Sequence, residues 1–243
     1  MRGGRLATIA LVAIVALLAA AVVAQAAGDK ITSTVKLSPS NPKINKKTKK
    51  AVEVKLTTEF KVTKPDGTRE DALKAVDMTL PKGIVADAKG FSKCSYALLQ
   101  ANKADQCPAK SVIGNHLGVA NGTPLISVVH GPAKVYLLGV SGSTIKFGIF
   151  TTAVEVPTAH TAFQGTMKPS SSGLKIHLDV PRLPTAPGLP DGTNLSMLWK
   201  WNVRGPKGTL LRAKQACKGG WKVTTRATFV DGSTATETAK TSC

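Results

Sequence analysis

Ala51-Val-Glu-Val-Lys-Leu-Thr-Thr-Glu-Phe-Lys-Val62 alternates apolar and polar side chains along its length. Val52, Val54, Leu56, Phe60 and Val62 fall on one face, and Glu53, Lys55, Glu59 and Lys61 on the other. Successive side chains of a strand point to opposite faces, so this stretch reads as a half-buried antiparallel strand with one wet side. Lys64-Pro-Asp-Gly-Thr68 then supplies a turn, its proline presetting φ and its glycine taking the left-handed position. The alternation returns in Val76/Met78/Leu80, Ile145/Phe147/Ile149, Leu174/Ile176/Leu178/Val180, Met197/Trp199/Trp201/Val203 and Trp221/Val223 toward Phe229. Gly, Pro and Ser clusters separate these runs at Ser38–Pro42, Pro169–Gly173, Pro181–Gly192, Gly205–Gly208 and Asp231–Ser233. Many short strands between such turns predict an all-β chain, an antiparallel β-sandwich built as one unit or as two packed halves. One segment departs from the pattern: Ser95–Asn102 holds good helix formers without Gly or Pro and predicts a short helix between Cys94 and Cys107.

Upstream of the strands, Arg2 and Arg5 precede an uncharged, almost wholly apolar run from Leu6 to Ala24, and Ala24-Gln-Ala26 follows. A basic start, an apolar run and a small-x-small site make a secretory signal peptide. A retained membrane anchor is the alternative, because nineteen such residues exceed a signal core of about 7–15 and reach the ~18-residue threshold for spanning. The alanine content of the run and the absence of a Lys/Arg cluster after it favour cleavage. The expected organisation is a signal peptide at 1–26 and an exported β-sandwich region at 27–243, with a sub-boundary allowed near 80–110. Pro181–Pro190, with four prolines in ten residues, reads as a long connection between strands.

Export changes the meaning of Cys94, Cys107, Cys217 and Cys243. An even set in an oxidising compartment forms disulfides by default. Three pairings are open, and proximity in sequence favours Cys94–Cys107 with Cys217–Cys243. The first closes a loop of 14 residues, worth about 3 kcal/mol in the chain-entropy account. No CxxC or CxxH spacing points to zinc.

The chain carries 33 basic and 14 acidic residues, a net charge of +19. Arg2 and Arg5 leave with the leader, so 31 basic against 14 acidic residues remain, or +17. In the full chain lysine supplies 26 of the 33 basic residues and arginine seven. Readers of nucleic acid lean on the bidentate guanidinium, whereas lysine acts as a point charge. With a leader and few aromatic residues, the charge points to anionic envelope polymers or a lipid surface as partner, and away from nucleic acid.

No motif carries a reaction. His116, His130, His160 and His177 stand far apart, without a second ligand at metal spacing, and are expected at solvent-facing strand or loop positions. Gly139-Val-Ser-Gly-Ser143 lacks the register of a nucleophile elbow and reads as a turn. The carboxylates show no close pair of the kind glycoside hydrolysis needs. Neither a catalytic residue nor a cofactor or metal site is assigned. Asn121-Gly-Thr123 and Asn194-Leu-Ser196 are sequons. Trp199 and Trp201 share one strand face, and with Trp221 they are the candidates for a sugar-stacking platform; a packed core is the competing reading.

Three blocks carry a resemblance. Leu80-Pro-Lys-Gly-Ile84 leads into Cys94-Ser-Tyr-Ala-Leu98 and Cys107-Pro-Ala-Lys-Ser-Val-Ile-Gly114; Gly131-Pro-Ala-Lys-Val-Tyr136 leads into Lys146-Phe-Gly-Ile149; and Cys217-Lys-Gly-Gly-Trp221 leads into Thr228-Phe-Val-Asp-Gly-Ser233 and Cys243. In this order, over residues 75–243, they resemble a group of uncharacterised exported proteins from actinobacteria. The resemblance implies an extracellular β-rich protein with two local disulfides, and it brings no catalytic residues. Cys217-Lys218 stands where that group has Cys-Pro, and Ser242-Cys243 where it has Pro-Cys. The expected function is therefore non-enzymatic: an exported, envelope-associated β-sandwich held by diffuse basic charge, with a carbohydrate-binding module or a hydrolase as alternatives.

Overall fold

The computed structural model describes residues 28–45, 47–48, 50–121, 128–156, 159–183 and 192–243. The leader lies outside the described residues, as does most of the Pro181–Pro190 connection. Among the described residues no helix is long and apolar enough to cross a membrane.

The chain is built almost wholly of antiparallel strands. In order they are β1 (Lys30–Ser38), β2 (Val52–Glu53), β3 (Lys55–Thr63), β4 (Leu73–Leu80), β5 (Ile84–Ala86), β6 (Val112–Asn121), β7 (Val128–Ser141) and β8 (Thr144–Thr152). There follow β9 (His160–Ser170), β10 (Gly173–Asp179), β11 (Thr193–Trp201), β12 (Arg204–Gly205), β13 (Gly208–Thr209), β14 (Leu211–Ala213), β15 (Trp221–Phe229) and β16 (Thr234–Thr241). The alternating segments read from sequence all form strands. The predicted helix is a five-residue α1 (Tyr96–Gln100), followed by 3-10 turns at Ala104–Gln106 and Ala109–Ser111.

Eleven strands make one sheet in the order β1-β3-β11-β6-β7-β8-β9-β10-β4-β15-β16. The sheet curls until its two edges, β1 and β16, lie against each other, so the layers expected of a sandwich are opposite walls of a single near-closed sheet. Side chains meet across its interior: Phe147 of β8 packs edge-on against Trp201 of β11 at 5.6 Å, and the Thr58 hydroxyl of β3 donates to Met78 Sδ of β4 at 3.4 Å. Strands from both sides of 80–110 enter this sheet and one core, from Ile31 and Leu56 to Phe147 and Phe229.

The seam is held by something other than a ladder. Trp221 Nε1 donates to the Ser40 carbonyl at 2.7 Å, joining the start of β15 to the segment after β1. Cys217–Cys243 ties the end of β16 to the turn before β15. The second disulfide, Cys94–Cys107, closes the loop that carries α1. That loop lies on the outer side of β7 to β9, where Leu99 and Tyr136 are buried together and the Tyr96 hydroxyl donates to the Ala162 carbonyl at 3.0 Å. Gly148 makes the approach feasible, since a Cβ there would stand 2.7 Å from Leu99 Cδ1. Both pairings favoured by proximity are formed, and among the described residues no cysteine is free.

The two ends of the barrel differ. The antiparallel registers bring the end of β6 nearest Val112, the Trp201 end of β11 and the Leu80 end of β4 together. A small sheet of β2, β14 and β5 covers that end, where Val54, Leu211 and Ala213 are fully buried. The opposite end holds Asn121, Val128, Thr152, His160 and Thr193.

Candidate binding cavity and basic outer face

Toward the Asn121 end the inward rows lose their bulk. On β7 the inward side chains step down from Leu137 through Val135 and Ala133 to Gly131. In register with Gly131 stand Gly118 on β6 and Met197 on β11. The next row toward the end is Asn194, Ala120 and Val129. The space left is a cavity of about 640 Å³, within the range of small-molecule sites and at the mouth of a barrel, where such sites recur. Val129, Phe163, Val180 and Met197 line it with His116, and Asn121, Thr151, Thr161, His160 and Arg182 also reach it. Among its described lining residues there is no carboxylate, serine or cysteine. The lining therefore supplies surface for an apolar molecule and hydrogen-bonding groups to orient it.

His116 is the polar group set deepest in this wall. It was expected on a solvent-facing position, and the structure corrects this: the residue is 6 % exposed. A β-bulge between Val112 and Gly114 shifts the alternation by one. Such a shift turns every following side chain to the other face, so His116, Gly118 and Ala120 point inward and Leu117 and Val119 outward. The imidazole lies 4.6 Å from the Trp199 ring and meets the edge of Phe163 at 6.2 Å. Burial disfavours its charged form and holds its pKa down at about 4, against a smaller opposing effect of a hydrogen bond to the Leu198 backbone. It is a neutral imidazole at pH 7. Nδ1 is buried without a protein partner among the described residues, and so is Trp199 Nε1 beside it. The Nε2 edge faces Gly118, where a Cβ would come within 3.3 Å; the missing side chain leaves that edge open to the cavity.

The tryptophans answer the competing readings. Trp199, Trp201 and Trp221 are 0, 1 and 3 % exposed, with Trp199 and Trp201 stacked at 5.7 Å. They are core, and none offers an indole face to a sugar ring. Asn194 of the second sequon is also buried. His130, His160 and His177 remain at the surface or partly exposed; His130 Nδ1 lies 2.6 Å from Glu155, and His177 bridges Asp77 and Asp179 at 3.0 and 3.2 Å.

The outer face carries the charge. Every described lysine apart from Lys64 and Lys175 is exposed. The registers line up Lys36, Thr57, Lys200, Asn115 and Lys134 in one row across β1, β3, β11, β6 and β7. Adjacent strands are about 4.8 Å apart, so lysines on every second strand stand roughly 10 Å from one another. Asn115 and Asn202 lie side by side in the row's neighbourhood, at 3.5 Å.

These features define an all-β, disulfide-stapled barrel with one packed and one hollow end. No family model, curated protein or solved structure matches the chain.

Proposed function

We propose that this is an exported, non-enzymatic protein that works at or near the cell envelope, held to anionic surface material by diffuse positive charge. One observation carries the reading: among the described residues every lysine apart from Lys64 and Lys175 is exposed on the outside of the barrel, while the core is mostly apolar. The row Lys36, Lys200 and Lys134 presents point charges without the bidentate geometry that reads a defined phosphate or base, which suits a polyanionic surface better than a single ligand. The two disulfides suit an oxidising compartment, and the leader pattern at 1–26 suggests how the chain reaches it.

Diffuse attraction between exposed charges is screened over about 10 Å at 0.1 M salt. Sedimentation with isolated envelopes through a salt series is the test. Retention should fall steeply between low and high salt, and fall further when Lys36, Lys134 and Lys200 are all changed to Gln. Retention indifferent to ionic strength would overturn the proposal.

A further inference from the structure

The apolar interior offers a second binding site, independent of the charged exterior. We propose that the cavity between β6, β7, β9 and β11 takes a neutral, mostly hydrocarbon small molecule bearing a single hydroxyl, with the hydroxyl seated against His116. The walls fix the hydrocarbon part: Val129, Phe163, Val180 and Met197 line a space of about 640 Å³ that inward side chains of ordinary size would have filled. The room exists because Gly118, Ala120 and Gly131 occupy inward positions in adjacent rows.

His116 fixes the polar part. A buried polar group without a partner is costly, and a ligand atom that supplies the missing hydrogen bond recovers that cost. The nitrogen within reach of a ligand is Nε2, whose edge faces the gap at Gly118, a residue that lines the cavity; Nδ1 and the neighbouring Trp199 Nε1 are closed off from it. Neutral imidazole has one nitrogen that donates and one that accepts. A hydroxyl does both, so it complements the ring in either tautomer, whereas a carboxylate can only accept. Among the described lining residues there is no lysine, so an anionic head seated against His116 would have no lysine of the lining beside it. Arg182 is the one arginine or lysine among the described lining residues, and an anion held there is the competing outcome.

Equilibrium dialysis of the folded, oxidised protein against decanol, decane and decanoate distinguishes these cases. Decanol should bind saturably and about tenfold more tightly than decane, the worth of one well-made hydrogen bond. His116→Phe keeps an aromatic ring of similar breadth and should remove that preference while leaving decane binding intact. Ala120→Leu projects into the cavity and should weaken both ligands. Circular dichroism establishes that each variant is folded, and the comparison of ligands in the unmodified protein stands without them. Absence of saturable decanol binding, equal affinity for decanol and decane, or tighter binding of decanoate than of decanol would each overturn the proposal. Raised salt should leave decanol binding unchanged while it strips the protein from envelopes, so the two proposals fail separately.

Discussion

The two ends of this barrel use the same strands to opposite effect. At the end covered by β2, β14 and β5, inward positions hold Trp201, Phe147, Leu137 and Ile113, all buried to within 1 % of full enclosure. Farther along β6 and β7 the inward positions are His116, Gly118, Ala120 and Gly131, and the interior is hollow. Strand pairing continues through both regions, with register shifts at Val112/Gly114 and Asn194/Ser196. Closing a sheet and filling it are thus separate tasks: the ladder sets the wall, and the volume of alternate side chains decides whether a core or a cavity lies inside.

The largest expected effect tests the packed end. Trp201→Ala should cost about 3–5 kcal/mol, because neighbours locked into close packing collapse only partly around the void; chemical denaturation measures it, and a loss below 1 kcal/mol would mean that this end is less tightly filled than its burial indicates. The next effect belongs to the hollow end. Folded His116 takes no proton until about pH 4, whereas an unfolded histidine takes one near 6.5. The unfolded chain therefore binds more protons in this interval, and stability falls as pH is lowered through it, by about 3 kcal/mol in all. Glu155, held low by the His130 backbone N–H and ring, and Asp66 and Asp231, held low by hydrogen bonds from Thr68 and Ser233, lose their contribution only in the ordinary carboxylate range and below. The slope between pH 7 and 5 should accordingly vanish in His116→Phe; an unchanged slope would assign it to other groups.

The smallest effect sharpens the comparison most, because one substitution is made twice. Ala213→Leu at the fully buried packed end should destabilise by about 1–3 kcal/mol through overpacking. Ala120→Leu, whose side chain enters the cavity, should change stability by less than about 1 kcal/mol in either direction, since added apolar burial offsets lost freedom. Equal melting shifts for the pair would erase the distinction between the ends.

The strands legible in the sequence are those whose inward faces are built from large apolar residues: Leu56 to Val62, Val76 to Leu80, Leu174 to Val180, Met197 to Trp201. The helix and both disulfides were also readable, because composition and proximity act over short stretches. The hollow end was not. On β6 the apolar residues Leu117 and Val119 mark the outer face, so periodicity alone places His116 outside; only the bulge at Val112/Gly114, which is set by pairing with β7, reverses the assignment. A signal was nevertheless present in Gly131-Pro-Ala133-Lys-Val135-Tyr-Leu137, where alternate residues grow steadily in size. Periodicity asks whether a position is apolar, and a cavity is written instead in how small it is.

The seam between β1 and β16 bears on how the chain can be assembled. β3 pairs with β1 close by in sequence and with β11 far beyond it, and β4 finds its neighbours only in β10 and β15. A chain that emerges N-terminus first can make the β1–β3 hairpin at once, but the ring around the core closes only after β15 and β16 have arrived. Such long-range pairing is slow, and until then β3 and β4 wait with open edges and uncovered apolar faces. Lysine on exposed strand edges is a common guard against edge-to-edge pairing, and β1 and β3 carry Lys30, Lys36, Lys55 and Lys61 on their exposed sides.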